Sequence, residues 1–463
     1  MTSKKLRRGL AATLAFAFIA VSCGGDDSGS SSSEAPAASE APAASEAPAG
    51  SEAPAATEAP ATEVDYEAAG LWNDGPCDAS LDPLVVGIQS PGETAVLTLI
   101  DQGWALEASA EAFNARGGAN GHCIEAVYCD DQADPNKAVA CVQSQVDAGV
   151  VVTVNDTTPV GDADTSAGYA AAGIPRFAIS PGSPDMKDTN SYPFTAGGLG
   201  TTFMMAEALR VAGKTNVAII RVDTPSGSSL KGLLDTVFGT KGMTFVADIP
   251  VPAGTTDYSQ FVIAAQDAGA DSIMMPLGGQ ESIQVVNAAK QLGVDLLISS
   301  SMGTFPLSDI RELGDFASNL VLNEGMIQVY EDNPVTNIAR EDLAITGKEE
   351  LTGANIKASP FRSWIGLYAL LFMIREAGLT EFTKESLTAT IEASGEIPML
   401  GLTRDWTPKT DHAGAFARIG NGQYYFYQFD PESVGFDGEP IYKLIGEGDI
   451  DEALCGTLGG PCA

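Results

Sequence analysis

Polar residues that can bind without reacting recur at one kind of place in this 463-residue chain, just after short apolar runs. Run 84–88 leads into Gln89, Ser90, Gly92 and Glu93, and run 150–154 into Asn155, Asp156, Thr157, Thr158 and Pro159. Run 176–179 leads into Ser180, Pro181, Gly182 and Ser183. Later runs end in Asp223, Thr224, Ser226 and Gly227, in Gly278, Gly279, Gln280 and Glu281, and in Ser299, Ser300, Ser301 and Met302. Hydroxyls, carboxamides and glycine-exposed amides hydrogen-bond a small polar solute but supply no nucleophile or proton shuttle. Ser, Gly and Pro are also ordinary loop residues, and at any single loop that reading suffices. Six such loops on one kind of sheet edge point to a binding rim.

Groups suited to catalysis are sparse. General acid–base work near neutral pH most often uses histidine. The chain has His122, beside Cys123, and His412, in a polar loop; both read as surface residues. GxSxG, HExxH and GxxxxGK[ST] are absent. Gly197-Gly198-Leu199-Gly200 is too short a pattern to argue for phosphate, since a strand-to-helix turn needs glycine anyway. Trp364, Tyr368 and Phe372 share a helical stripe, which reads as core packing. The expectation is a protein with no catalytic residue, no cofactor and no metal.

These rims require strands to hold them. The apolar runs alternate with helical spacing: helices are predicted at 95–116, 135–147, 200–212, 228–238, 258–268 and 280–292, with strands between. Asp134-Pro135 gives one helix a capping side chain and a proline in its first turn. Strand–helix alternation over this length means parallel sheets with crossover helices, and two such series mean two α/β lobes, each doubly wound. A strand is expected at 320–328, helices at 336–346 and 359–377, and a hairpin of 415–419 with 424–429 around Asn421-Gly422.

The first 70 residues are of another kind. Lys4, Lys5, Arg7 and Arg8 precede an apolar run at 10–21, too short to span a bilayer, and then Ala20-Val21-Ser22-Cys23. A basic start, an apolar stretch and small residues describe a secretory signal over 1–22. Its form resembles a bacterial lipoprotein signal, which implies that Cys23 becomes the lipid-bearing mature N-terminus. Over 23–70, Ser-Glu-Ala-Pro hexads recur at Ser33, Ser39, Ser45 and Ser51. That composition buries no core and reads as a disordered tether. The folded body is expected to begin near Leu71 or Pro83.

The net charge of −36 argues against nucleic acid, whose phosphates need a basic footprint, and against adhesion to anionic lipid heads. Beyond Cys23 six cysteines remain, an even count that suggests disulfides in an exported chain. Six allow fifteen pairings; the expectation is Cys129 with Cys141, Cys455 with Cys462, and Cys77 with Cys123.

Cys129-Asp130-Asp131-Gln132-Ala133-Asp134-Pro135-Asn136-Lys137-Ala138-Val139-Ala140 and Ile179-Ser180-Pro181-Gly182-Ser183-Pro184 resemble one family. It is the leucine/isoleucine/valine-binding kind of type 1 periplasmic binding protein, the substrate-binding lipoproteins of ABC importers. The resemblance runs from Leu84 to Phe429. It implies two lobes joined by a three-strand hinge that closes on a ligand. Lobe 1 would comprise 83–195 and 324–405, lobe 2 would comprise 196–323 and 406–445, and 446–463 would form a tail. Carried over, contacts fall at Ser90, Thr157, Thr158, Gly182 and Ser183 in lobe 1, and at Ser226, Gly279 and Met302 in lobe 2. Ser180 and Gln280 join them from the rim reading.

Amino-acid binders of that family hold the ligand ammonium with an acid and aromatic residues of lobe 2. Here Ser226, Gly279 and Ser301-Met302 stand at those positions. Either Asp156, Asp223 or Glu281 supplies the counter-charge, or the ligand is a carboxylate, amide, urea-like or aromatic compound. The expected function is a solute receptor for an ABC importer, lipid-anchored on the outer face of the membrane. It would be a monomer that engages a membrane permease. A sensor of the same fold that signals to a membrane partner is the alternative.

Overall fold

The computed structural model describes residues 65–94, 98–224, 226–252, 254–408 and 418–454. Expectations for Cys23, the signal and most of the tether, His412, and Cys455 with Cys462 lie outside them. Core packing reaches upstream of the expected start: Ala69 and Leu71 are buried, and the Trp72 ring packs on Phe113 and Tyr368.

In chain order the first series is β1 (Leu84–Ser90), α1 (Ile100–Ala115), β2 (Ile124–Asp130), α2 (Pro135–Asp147), β3 (Val152–Val154), α3 (Asp162–Ala172), β4 (Arg176–Ile179) and β5 (Ser191–Pro193). The second is α4 (Gly197–Val211), β6 (Asn216–Val222), α5 (Leu230–Phe238), β7 (Thr244–Val251), α6 (Ser259–Asp267), β8 (Ser272–Met274), α7 (Gly279–Leu292), β9 (Leu297–Ser301), α8 (Leu307–Glu312) and β10 (Leu320–Glu324). Then follow α9 (Pro334–Ala344), α10 (Ala358–Glu376), α11 (Lys384–Ala393), β11 (Gln423–Val434), β12 (Pro440–Asp449) and α12 (Ile450–Ala453).

The strands form two sheets, in the orders β2-β1-β3-β4-β5 and β12-β11-β10-β9-β8-β6-β7. Every pairing in the first is parallel; in the second, β11 runs antiparallel to both its neighbours, β10 and β12, and the other pairings are parallel. Strand order reverses between β1 and β3 and again between β6 and β8, the switch points at which open α/β sheets leave a crevice. Three segments pass between the sheets: 194–196 after β5, 325–333 after β10, and the stretch after α11. Trp406 on the third is fully buried, with its ring centroid 4.9 Å from that of Phe177 and 5.3 Å from that of Phe194.

Local chemistry accounts for most boundaries. Asp134 caps α2 by accepting from the amides of Asn136 and Lys137, and Pro135 opens the helix, as its sequence predicts. Asn333 and Pro334 do the same for α9. Helix α10 is apolar almost all round and lies on α1, β3 and β4, so Trp364 and Tyr368 are core residues as expected. Cys77–Cys123 and Cys129–Cys141 are both bonded, with Cα atoms 5.1 and 5.7 Å apart.

One expectation needs correcting. The partner of β11 is β12, and the hairpin turns at Asp437-Gly438, where Gly438 has φ +76°. Asn421-Gly422 instead starts β11: the Asn421 side chain accepts from the Gln423 amide and donates to Thr403. A Cβ on Gly422 would meet Ile450 at 2.7 Å, so that glycine answers a close approach rather than a tight turn.

Candidate functional site

The carboxyl ends of the first sheet rest on a buried ionic network. Asp156, just past β3, accepts from the Gln89 amide at 2.8 Å, the Thr153 hydroxyl at 2.6 Å and Arg176 Nε at 3.1 Å. Arg176 Nη1 donates to Asp185 at 2.5 Å, and Nη2 reaches the Thr158 hydroxyl at 3.4 Å. All three charged side chains are fully buried. Burial works against the arginine's charge, but Asp185 and Asp156 outweigh it and hold its pKa above the ordinary value. Burial pushes Asp156 upward despite Arg176. Asp185 also accepts from the Gly182 amide at 2.9 Å.

This network occupies several groups expected to meet a ligand. Thr158 faces Arg176, and the Gly182 amide faces Asp185. The Ser90 hydroxyl donates to the Leu99 carbonyl at 3.2 Å. Asp156 has its donors, so it is no free counter-charge. Thr157 differs: its hydroxyl is buried without a hydrogen-bond partner. Ser180 is half-buried and Ser183 exposed at the same rim.

On the second sheet, Met302 turns its side chain into the hydrophobic core with no exposure. Ser226 opens a short 3-10 turn, and Asp223 is exposed. Gly279 and Gln280 line a cavity of about 470 Å³. Its walls come from elements of both sheets: Thr94, Thr98 and Leu99 after β1, Leu277, Gly278, Gly279, Gln280, Glu281 and Ile283 around the start of α7, Gly303, Thr304, Pro306, Ser308 and Asp309 after β9, and Glu349, Glu350, Asn355 and Lys357 before α10. That volume suits a small organic solute.

Glu281 is the one of the three expected counter-charges that lines this cavity, and Asp309 joins it. Burial and the neighbouring Glu312 raise the Asp309 pKa, with Lys357 opposing. Lys357 is itself paired with the buried Asp101 at 2.8 Å.

Behind Gly303 lies a charge pair that the sequence reading missed. Glu324 ends β10, and Arg362 sits on the second turn of α10; their Oε1 and Nη1 are 2.8 Å apart. Glu324 Oε2 and Arg362 Nε are buried with no partner. A Cβ on Gly303 would stand 3.5 Å from Arg362 Nη2 and 3.8 Å from Glu324 Oε2. The next residue, Ser363, accepts from Asn155 and donates to Gln102, which ties this turn of α10 to the first sheet's rim. An arginine in the second turn of a helix whose other charges, Arg375 and Glu376, wait until its last turn was the available signal.

Residues 89–433 match the family described as periplasmic binding protein. A Leu/Ile/Val-binding protein homolog 2 of Brucella abortus is 25% identical over 320 residues, covering 65% of this chain and 80% of that one. Many solved structures share this fold. A solute-binding protein of an ABC transporter from R. palustris, in complex with 4-hydroxybenzoate, gives a TM-score of 0.64 at 18% identity, covering 80% of this chain and 97% of that one. The closed conformation of a leucine-, isoleucine-, valine-, threonine- and alanine-binding protein from Brucella ovis gives 0.63 at 14% identity, covering 80% and 96%.

Proposed function

Because the chain belongs to the periplasmic binding protein family, we propose that it is the extracytoplasmic solute receptor of an ABC importer of the branched-chain amino acid kind. It holds a small polar or amphipathic molecule between its two α/β lobes, 83–195 with 324–405 and 196–323 with 406–445. The observation that carries this reading is the cavity walled by loops of both sheets at their carboxyl ends, lined by amides, hydroxyls and carboxylates. In this reading no bond is made or broken. Residues that meet the solute are drawn from Thr157, Ser180, Ser183, Gly279 and Gln280, with Thr157 the donor most in need of a partner.

The relatives leave the solute class open, since one neighbour is a complex with an aromatic acid and another is an amino-acid-binding protein. Anchoring at Cys23, a monomeric state and docking of the closed form on a permease complete the proposal. No helix among the described residues is long and apolar enough to cross a membrane.

Thermal unfolding of the purified chain against a panel of amino acids, aromatic and aliphatic acids and their amides tests it. A true solute at a hundredfold excess over its Kd stabilises by about 2.7 kcal/mol, and it should be recovered unaltered. A flat response across the panel, or chemical change in a bound compound, would refute the reading.

A further inference from the structure

Resting on that reading, we infer that Arg362 is the carboxylate anchor of the cleft, so the solute is a small carboxylic acid. Arginine binds carboxylates best through two parallel N–H groups, Nε with Nη2. This molecule uses that edge twice elsewhere. Arg210 grips Glu207 through Nε and Nη2, and Arg221 grips Asp248 the same way at 2.7 and 2.8 Å. On Arg362 the Nε of that edge has no acceptor, and Nη1 is held by Glu324. Its Nη2 lies 3.5 Å from the point a Cβ on Gly303 would occupy, directly behind a glycine of the cavity wall.

The fold already shows an arginine between two carboxylates. Arg176 takes Asp156 through Nε and Asp185 through Nη1 with no exposure. Arg362 has one of the two places filled. A buried N–H without an acceptor is costly, and a ligand carboxylate relieves that cost. The acids of the cavity do not contradict this assignment. The cavity's acids are Glu281, Asp309, Glu349 and Glu350, whereas the carboxylate paired with Arg362 is Glu324, which is not among its lining residues. Glu324 Oε2, also unpartnered, is left to accept from a donor on the same solute. Because Glu324 belongs to the second sheet and Arg362 to a helix packed on the first, the anchor lies where the halves of the cleft meet.

The test is calorimetric titration of wild type and Arg362→Lys with a broad panel of aliphatic, aromatic and amino acids, each beside its primary amide. Lysine keeps the charge and the partnership with Glu324 but cannot present two parallel donors. In wild type an acid should bind at least about tenfold more tightly than its amide. In Arg362→Lys the acid should weaken roughly 10- to 100-fold while the amide changes little and the melting temperature holds. Equal losses for acid and amide, or unchanged affinity for the acid, would overturn the anchor while leaving solute binding intact. An amide preferred by wild type would do the same. Failure of every acid and amide to bind wild type would count against both the anchor and the receptor reading.

Discussion

Arg176 and Arg362 both reach carboxylates beside the cleft, and they differ in completeness. Arg176 is enclosed within one sheet, with Nε, Nη1 and Nη2 each engaged. Arg362 joins elements of the two halves and leaves Nε and Glu324 Oε2 unmatched. The first arrangement builds a rim whose groups already have partners, and so fixes its shape. The second keeps unmatched polar atoms where a guest could complete them. Much of the first sheet's polar rim is structural, and under the proposed anchor the recognition chemistry would fall more heavily on the seam.

The largest way to break this contrast is Arg176→Met, which leaves Asp156 and Asp185 buried without their cation. Urea unfolding should show a loss of about 3–5 kcal/mol. A loss no larger than that of Arg362→Lys would erase the distinction.

Next comes the covalent support of the first sheet. Both disulfides among the described residues lie there, and Cys77–Cys123 spans 46 positions. Chain-entropy reasoning gives about 4 kcal/mol for that bond. Replacing both cysteines with serine should lower unfolding stability by that order. Binding at the seam should survive wherever the protein remains folded.

A smaller effect is expected at the opposite edge of the second sheet. Asp271 accepts from the Thr215 and Asn216 amides at 3.0 and 3.1 Å and from Ser272 at 3.0 Å. Burial opposes its charge, but these bonds prevail and hold its pKa below the ordinary aspartate value. A lowered carboxyl contributes stability above its unfolded pKa and loses it as pH falls through the folded one. Asp271→Asn should therefore cost roughly 1 kcal/mol near neutrality, discounted for exposure, and nothing at the acid end of a pH series of melts. A difference independent of pH would contradict the assignment.

The smallest effect sharpens the seam itself. Glu324→Gln removes the charge that a bound carboxylate would have to share Arg362 with. Two carboxylates roughly 6 Å apart repel by about 0.7 kcal/mol even with full water screening, and by more where one is as buried as Glu324. An acid that binds wild type should therefore bind the variant at least about threefold more tightly in calorimetry. Weaker binding would mean that Glu324 positions the arginine more than it competes for it.

Strand and helix placement was largely legible because its signals are local. The run 176–179 is β4 to the residue, and Asp134-Pro135 marks the start of α2. Helix α11 escaped because its cap is Thr383 with Ser386, short of the usual Glu or Gln partner. Two Asx-Gly pairs lie near the last strands, and only Asp437-Gly438 makes the hairpin; nothing local separates them. The family resemblance was carried by residues near Cys129 and Ile179, and the family match spans 89–433.

The site was less readable, because rim residues look alike whether or not their hydrogen bonds are already satisfied. Thr157 and Thr158 are neighbours of the same type, yet one hydroxyl is unpartnered and the other faces Arg176. Met302 sits at a strand tip but points inward. Arg362 lies inside a helical run whose spacing speaks only of packing, and its relation to Glu324 and Gly303 exists only once the sheets are assembled.

Val139 on α2 and Ile263 on α6 are exposed residues of helices that flank the first and second sheets, so labels placed there report on the separation of the halves without occupying the cleft. Pulsed electron-spin distances between nitroxides at these two positions, with and without a saturating solute, test the central claim most directly. The account predicts a shorter and narrower distance distribution when solute is bound. An unchanged distribution at full occupancy would contradict a solute held between two hinged halves.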